Sequence, residues 1–316
     1  MPTKVLSQDQ ALWIRLQNQS LVNCLKRPSS VVKRLIAIKG PDHLLASMSI
    51  FARCPDTTGA TIRKTLRNTS LITKCDFLRF SPTFIHTADL GLLRNSVGDW
   101  HLIRTTNYLS SLKKSQLTEH LYLPNSKHSR LELFQFLKGV SPDSQQEMLD
   151  RLFVRYIYAY GPASVADFSH WTGLSSEFCN KLGKLPRSLV RAYHIKGLKG
   201  IFFSRHSQSK NKCSTLHILP PQDPILLGYL PRNLIISGLK NGKIFKPKKS
   251  RAIILLDGKV IATWKLERKA RDLCYRVQHF RPLKDQEVNE INLKFRNLAL
   301  ISSAKHYQVK MSLKVR

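Results

Sequence analysis

The fold of this chain is decided by residues 153–205, which read FVRYIYAYGPASVADFSHWTGLSSEFCNKLGKLPRSLVRAYHIKGLKGIFFSR. Apolar side chains recur there at helical spacing, as at Phe153 and Ile157, and this periodicity predicts a long helix with one buried face. We expect the helix to end at Gly161-Pro162, because proline has no amide donor and disfavours a helical conformation in the residue before it.

Two shorter helices and a hairpin follow in the same stretch. Ser164 is suited to cap the second helix and Ser175 the third, since a serine hydroxyl accepts a hydrogen bond from a free amide of the first helical turn. Leu189–Ile195 and Ile201–Ser204 have the composition of strands and are joined by a link rich in glycine and lysine. This order predicts a winged helix, and the alternative is a small α+β domain that binds no ligand.

The charge of the chain points to a polyanionic partner. Its 316 residues, which suggest two or three domains, include 52 Lys and Arg against 20 Asp and Glu, a formal net charge of +32. Self-repulsion of that size opposes a compact fold unless an anion offsets it. Membrane headgroups are the rival to nucleic acid, but no apolar run approaches the roughly 20 residues that span a bilayer. The first ten residues lack the apolar region of a signal peptide, so we expect a cytoplasmic protein, nucleoid-associated if bacterial.

The spacing of the cysteines and histidines does not indicate a metal site. The six cysteines are scattered without a Cys-x-x-Cys pair or a Cys/His cluster at zinc spacing. We therefore expect free and mostly buried thiols in a reducing compartment. No cofactor is implied.

The N-terminal part repeats the helical order of the opening stretch. The predicted elements are a helix over Ser7–Asn23, a shorter apolar-rich segment over Val31–Lys39, a third element that is a helix capped by Asp42 and reaching about Arg53, and a basic helix over Thr61–Arg67. Leu71–Ile85 is β-like, so this region is predicted to hold a divergent first winged helix. The C-terminal part is predicted to be β-rich, with a hairpin at Asp257-Gly258. The predicted domains are 1–140, an N-terminal helical and divergent winged-helix region, 141–210, the central winged helix, and 211–316, the β-rich part.

Three stretches together resemble a known family. They are Tyr156–Ser175 (YIYAYGPASVADFSHWTGLS), Ile218–Arg232 (ILPPQDPILLGYLPR) and Ile254–Arg268 (ILLDGKVIATWKLER). In order and spacing they are similar to winged-helix DNA-binding proteins related to the bacterial DNA glycosylase that unhooks interstrand crosslinks. The resemblance implies an α+β fold of tandem winged helices with a C-terminal β-barrel-like part, and duplex DNA as the partner.

The same resemblance implies that the catalytic residues of the glycosylase members are missing. Those members carry a Gln-x-Gln or Gln-x-Asp motif just after the second helix, to hold a water against the anomeric carbon. The matching pair here is Lys39 and Pro41, or Ile38 and Gly40. A histidine of the family is replaced by Thr83. We therefore interpret the chain first as a DNA-binding protein without that catalytic motif.

In a winged helix the third helix enters the major groove while other residues hold the phosphate backbone. The third helix is predicted to begin near Ser175. The groove candidates are Ser176, Glu177, Asn180 and Lys181. The phosphate candidates are Lys184, Arg187, Lys196 and Lys199.

The second interpretation is a DNA glycosylase with a variant site at Lys39 and Asp42. A lysine amine can attack a sugar carbon and form a Schiff base, and Asp42 would orient water. The simpler assignment makes Lys39 a phosphate contact and Asp42 a helix cap. RNA or ribosome association is a third option, which the charge allows, but no RNA-recognition motif with surface aromatic residues is evident.

Overall fold

The computed structural model describes residues 4–40, 42–75, 82–97, 142–179, 182, 189–205, 214–230, 234–235, 245–246, 249–269 and 272–313, which form a mixed α+β fold. The helices are α1 (Gln8–Asn18), α2 (Pro28–Leu35), α3 (His43–Phe51), α4 (Gly59–Arg67), α5 (Pro142–Tyr160), α6 (Val165–Thr172), α7 (Ser176–Cys179), α8 (Pro224–Leu227) and α9 (Asp285–Ile301). The strands are β1 (Lys4–Leu6), β2 (Ala37–Lys39), β3 (Ile72–Cys75), β4 (Thr83–His86), β5 (Arg191–Ile195), β6 (Phe202–Ser204), β7 (Leu216–Leu219), β8 (Phe245–Lys246), β9 (Lys249–Ser250), β10 (Ala252–Leu256), β11 (Lys259–Lys269), β12 (Asp272–His279) and β13 (His306–Leu313). Residues 90–97 are also helical. No helix in these ranges is both long and apolar enough to cross a membrane.

The first unit, residues 28–86, packs α2, α3 and α4 against a sheet of order β2-β4-β3. The segment predicted as one apolar element, Val31–Lys39, is divided between a helix and a strand. The division falls at Ile36, whose positive φ of 66° breaks the helical path after Leu35. The strand that follows is β2, and its Ile38 is fully buried in the core of this unit.

The second unit, residues 142–204, contains α5, α6, α7, β5 and β6. As predicted, α5 stops before Gly161-Pro162, and Ser164 caps α6 in a reciprocal pair of hydrogen bonds with Asp167. Gly173, at φ 80°, ends α6 in the left-handed conformation that glycine adopts without strain. β6 pairs with β5, and Ala163 forms an isolated bridge to β6. On the far side of β5, β1 from the N-terminus adds a parallel strand.

The C-terminal sheet has the order β13-β12-β11-β10-β7, with the predicted Asp257-Gly258 turn between β10 and β11. One face is covered by α9, whose Phe295 contacts Trp264 and Tyr275 with ring centroids 5.4 Å and 4.5 Å apart. Within the described residues the two outermost strands, β7 and β13, do not pair. The described part of the sheet is therefore open, and the expectation of a barrel-like part is wrong, because no pairing between these two edge strands closes it.

The N-terminal helix, the second unit and the C-terminal sheet share one apolar core. Leu16 of α1, Phe153 of α5 and Leu255 of β10 all belong to the same buried cluster. Of the cysteines that the structure describes, Cys54 and Cys179 are buried. Cys24 is exposed, and Cys75 and Cys274 are half-buried. For these three residues the expectation of buried thiols is wrong.

Candidate functional site

A small pocket lies where the first unit, the second unit and α8 meet. Its volume is about 30 Å³, which is room for one or two water molecules. The lining residues are Ala37, Lys39, Thr83, Tyr160, Trp171, Gln222, Pro224 and Leu227. The pocket thus combines an amine, a hydroxyl and an amide with two aromatic rings.

Strand β2 decides which side chains reach this pocket. Successive side chains of a strand point to opposite faces, so Ala37 and Lys39 line the pocket while Ile38 between them is buried in the core. In the pairing of β2 with β4, Lys39 lies opposite Thr83. The pocket-facing pair is therefore Ala37 and Lys39, not the Ile38 and Gly40 pair that the sequence offered, and Pro41 lies outside the described residues.

Asp42 has a structural task. Its side chain is exposed at the start of α3, and its Oδ1 accepts a hydrogen bond of 2.9 Å from the amide of Leu45. Asp42 does not belong to the pocket lining. The structure thus separates the two residues proposed for a variant active site, with Lys39 at the pocket and Asp42 as a helix cap.

Tyr160 joins the two units beside the pocket. Its hydroxyl donates to the backbone oxygen of Leu35 at 3.0 Å, and its ring lies 5.6 Å from that of Trp171. The Tyr229 hydroxyl in turn donates to the Tyr160 backbone oxygen at 2.7 Å. Burial raises the pKa of both tyrosines far above the usual value. Both hydroxyls therefore stay protonated near neutral pH and serve as hydrogen-bond donors.

A fully buried ion pair anchors the loop that carries Gln222. Arg53, two residues after α3 ends, binds both carboxylate oxygens of Asp223 at 2.9 and 2.8 Å. Its remaining donors reach the backbone oxygens of Gln19 and Ser49 and the side-chain oxygen of Gln19. Every guanidinium N–H is thus satisfied, as a buried charge requires. The arrangement fixes α8 and one wall of the pocket to the first unit.

Sequence and structure comparisons agree on one family. Residues 101–300 match the family model for AlkZ-like DNA glycosylases. The chain belongs to the AlkZ-like DNA glycosylase family. Its fold is similar to that of the solved Streptomyces sahachiroi DNA glycosylase AlkZ, with a TM-score of 0.71 over 97% of this chain and 100% of that one, at 15% sequence identity. None of the curated proteins matches the sequence. The resemblance read from the sequence is confirmed.

Four of the predicted DNA-contacting residues of this AlkZ-like chain lie on the described part of the second unit. Ser176 and Glu177 are exposed at the start of α7, and Lys196 and Lys199 are exposed in the turn between β5 and β6. The turn is tied to α1 by a hydrogen bond of 3.0 Å from the Gln8 amide to the Lys196 backbone oxygen. The remaining candidates lie outside the described residues: Asn180, Lys181, Lys184 and Arg187.

Sequence reasoning missed an arginine cluster between the two units. Arg155 of α5 binds the buried Asp89 at 2.9 Å and the backbone oxygen of Lys33. Burial lowers the pKa of Arg34, and the charges of Arg205 and Arg155 lower it further. The contact of Arg155 with the Lys33 backbone oxygen places it beside Arg34. Arg205 is close enough for its charge to act on Arg34. They are distant in sequence, so only the docking of the two units could have indicated this cluster.

Proposed function

We propose that this AlkZ-like chain binds duplex DNA mainly through its phosphate backbone, with its two units acting as tandem winged helices. The observation that carries the proposal is the order of elements in the first unit, α2-β2-α3-α4-β3-β4 with strand order β2-β4-β3. A winged helix has this arrangement of three helices and a hairpin. The second unit has the same order of helices and strands. Its single bridge residue Ala163 takes the place of β2 and pairs with β6, which in turn pairs with β5.

Charge supports the same proposal. The net charge of +32 belongs to a chain whose family acts on DNA, and contacts with phosphates dominate nonspecific DNA affinity. Lys196 and Lys199 project from a hairpin turn and are exposed, as a wing that follows the backbone requires. In this assignment the wing holds phosphates, while α7, beginning at Ser176, faces the groove.

Salt dependence tests the proposal. Duplex binding, followed by fluorescence anisotropy, should weaken with a log–log salt slope of about −0.9 for each phosphate neutralised. Replacing Lys196 and Lys199 together by glutamine should reduce the slope by roughly 2 and weaken binding to unrelated sequences equally. A salt-independent affinity would overturn the proposal.

A second candidate function rests on Lys39, a primary amine in the pocket that the first unit and the second unit form. Here the amine attacks C1′ of a damaged nucleotide, and the base departs with the electrons of the glycosidic bond and is protonated. The C1′–O4′ bond of the sugar then breaks, O4′ takes the remaining proton of the amine, and an imine forms between C1′ and the lysine, which water later hydrolyses. Asp42 has no part in this step, because it caps α3.

Borohydride trapping decides between the two functions. Reduction of the imine would leave the protein covalently attached to alkylated or abasic DNA. An adduct that disappears in Lys39→Arg and Lys39→Ala, but persists in the cap variant Asp42→Asn, would establish the catalytic function. Absence of both an adduct and base release would leave DNA binding as the function.

A further inference from the structure

We propose that the open face of the C-terminal sheet is a further DNA contact, which holds the phosphodiester backbone outside the two winged-helix units. The proposal rests on the proposed DNA binding and adds a second surface to it. The surface is a groove of about 240 Å³ across β11, β12 and β13. The lining residues are Arg251, Thr263, Trp264, Lys265, Glu267, Arg276, Gln278, Lys310, Met311 and Ser312.

The sheet presents different chemistry on its two faces. Trp264 and Tyr275 point toward α9, where they pack on Phe295. Because side chains alternate along a strand, Lys265 and Arg276, which follow them, lie on the opposite face and are exposed. The α9 side is thus an apolar core, whereas the groove side is polar.

Register places three cations in one row across the groove. Lys265 of β11 lies opposite Arg276 of β12, which in turn lies opposite Lys310 of β13. Neighbouring strands are about 4.8 Å apart, so the row is about 10 Å long. One strand of duplex DNA rises about 3.4 Å per phosphate, so the length of the row corresponds to about three phosphates. Arg251 also lines the groove and adds a fourth cation.

This row is unfavourable for the sheet in the absence of an anion. Like charges directly opposite each other on neighbouring strands destabilise a sheet. Within the groove lining the single carboxylate is Glu267, which accepts a hydrogen bond of 2.6 Å from Arg276. That hydrogen bond and the charges of Arg276, Lys310 and Lys265 lower the pKa of Glu267. Four cations against one carboxylate leave a groove that attracts anions.

The form of the groove favours a polymer over a compact anion. The cations are spread along a line on an open sheet, and beside them in the same register runs a second row, made of the exposed Gln278 and Ser312 and the buried Thr263. Hydroxyl and amide groups donate to phosphate oxygens in protein–DNA interfaces. A membrane surface would instead favour exposed apolar side chains near the cations, and apart from the buried Trp264 the lining contributes one apolar side chain, Met311.

Matched triple variants test this surface. The groove variant is Lys265→Gln, Arg276→Gln, Lys310→Gln. The control variant is Lys284→Gln, Lys294→Gln, Arg296→Gln, on the side of the sheet covered by α9. Each set removes three cations, one of which pairs with a glutamate. Circular dichroism and thermal melting establish that both variants fold, and relief of the like-charge row should raise the melting temperature of the groove variant above that of the control.

Affinity and salt slope are measured on duplexes of about 12 and about 36 base pairs, roughly one and three helical turns. On the longer duplex the groove variant should lose roughly 10-fold to 100-fold in affinity and about 2.7 units of salt slope. The control variant should stay within about twofold of the wild type. The defect should be smaller on the short duplex, which cannot occupy both surfaces at once.

The outcomes separate this proposal from the previous one. If the groove variant behaves like the control while Lys196→Gln with Lys199→Gln loses binding, the groove proposal is overturned and the winged-helix proposal stands. If the wild type binds neither duplex, both are overturned. Loss of binding to phosphatidylserine vesicles without loss of DNA binding would assign the groove to a membrane and overturn the proposal.

Discussion

The three-stranded sheet of the first unit consists of strands from its own residues, 28–86. The sheet of the second unit instead includes β1 from the N-terminal segment, and on its other side the single residue Ala163 forms a bridge in place of a strand. Their contributions to the pocket differ as well. The first unit supplies the polar side chains of Lys39 and Thr83, and the second supplies the rings of Tyr160 and Trp171. The difference shows that two units with the same order of elements contribute different side chains to one pocket, which exists only when they are docked.

The largest expected effect concerns the ion pair that ties the first unit to α8. Arg53→Ala should lower the free energy of unfolding by about 3–5 kcal/mol, because it leaves the charge of Asp223 buried without its counter-ion. Urea denaturation measures the change. The matched control is Lys259→Ala, which removes an exposed pair with Asp9 and should cost about 0–1 kcal/mol. Similar losses for both variants would contradict the role of this ion pair.

The next effect concerns the hydrogen bond between the two units. Tyr160→Phe should cost about 1–3 kcal/mol, because the Leu35 backbone oxygen is left buried without its donor. The control is Tyr158→Phe, which removes a longer bond of 3.2 Å to Leu189 from a half-buried ring. Denaturation curves should rank Tyr160→Phe as the more harmful change. The opposite order would mean that the docking of the units does not depend on this contact.

A smaller effect lies inside the first unit. Asp42→Ala should cost about 1 kcal/mol by removing the cap of α3, whereas Asp42→Asn should cost much less because asparagine also caps well. Thermal melting of the two variants checks the difference. Equal losses would show that the charge of Asp42, and not its hydrogen bond to the Leu45 amide, is what matters.

The last prediction concerns pH and the C-terminal sheet. Burial, together with the charges of Lys294 and Arg53, lowers the pKa of His217 to about 3. The unfolded chain binds this proton near pH 6.5, so stability falls as pH drops from about 6.5 toward 3. His217→Gln should make the melting temperature depend less on pH over that range. An unchanged pH profile would show that His217 does not contribute to it.

Local signals predicted the second unit well. The periodicity of α5, the stop at Gly161-Pro162 and the cap at Ser164 each depend on neighbouring residues, and each was confirmed. The open C-terminal sheet was not predicted, because strand alternation gives the faces of β13 but not its parallel partner β12. At the candidate site the sequence identified Lys39, but its partners Tyr160, Trp171 and Gln222 come from distant segments.

The pairing of β1 with β5 has a consequence for how the protein is made. Gln8 and Lys196, which form a hydrogen bond beside this pairing, are separated by 188 residues in sequence. A ribosome therefore delivers Lys4–Leu6 long before the strand that will accept it, and contacts between such distant segments form slowly. The first residues must stay accessible until the second unit has emerged. A bulky N-terminal fusion is then expected to delay formation of the β1-β5-β6 sheet before it affects anything else in the molecule.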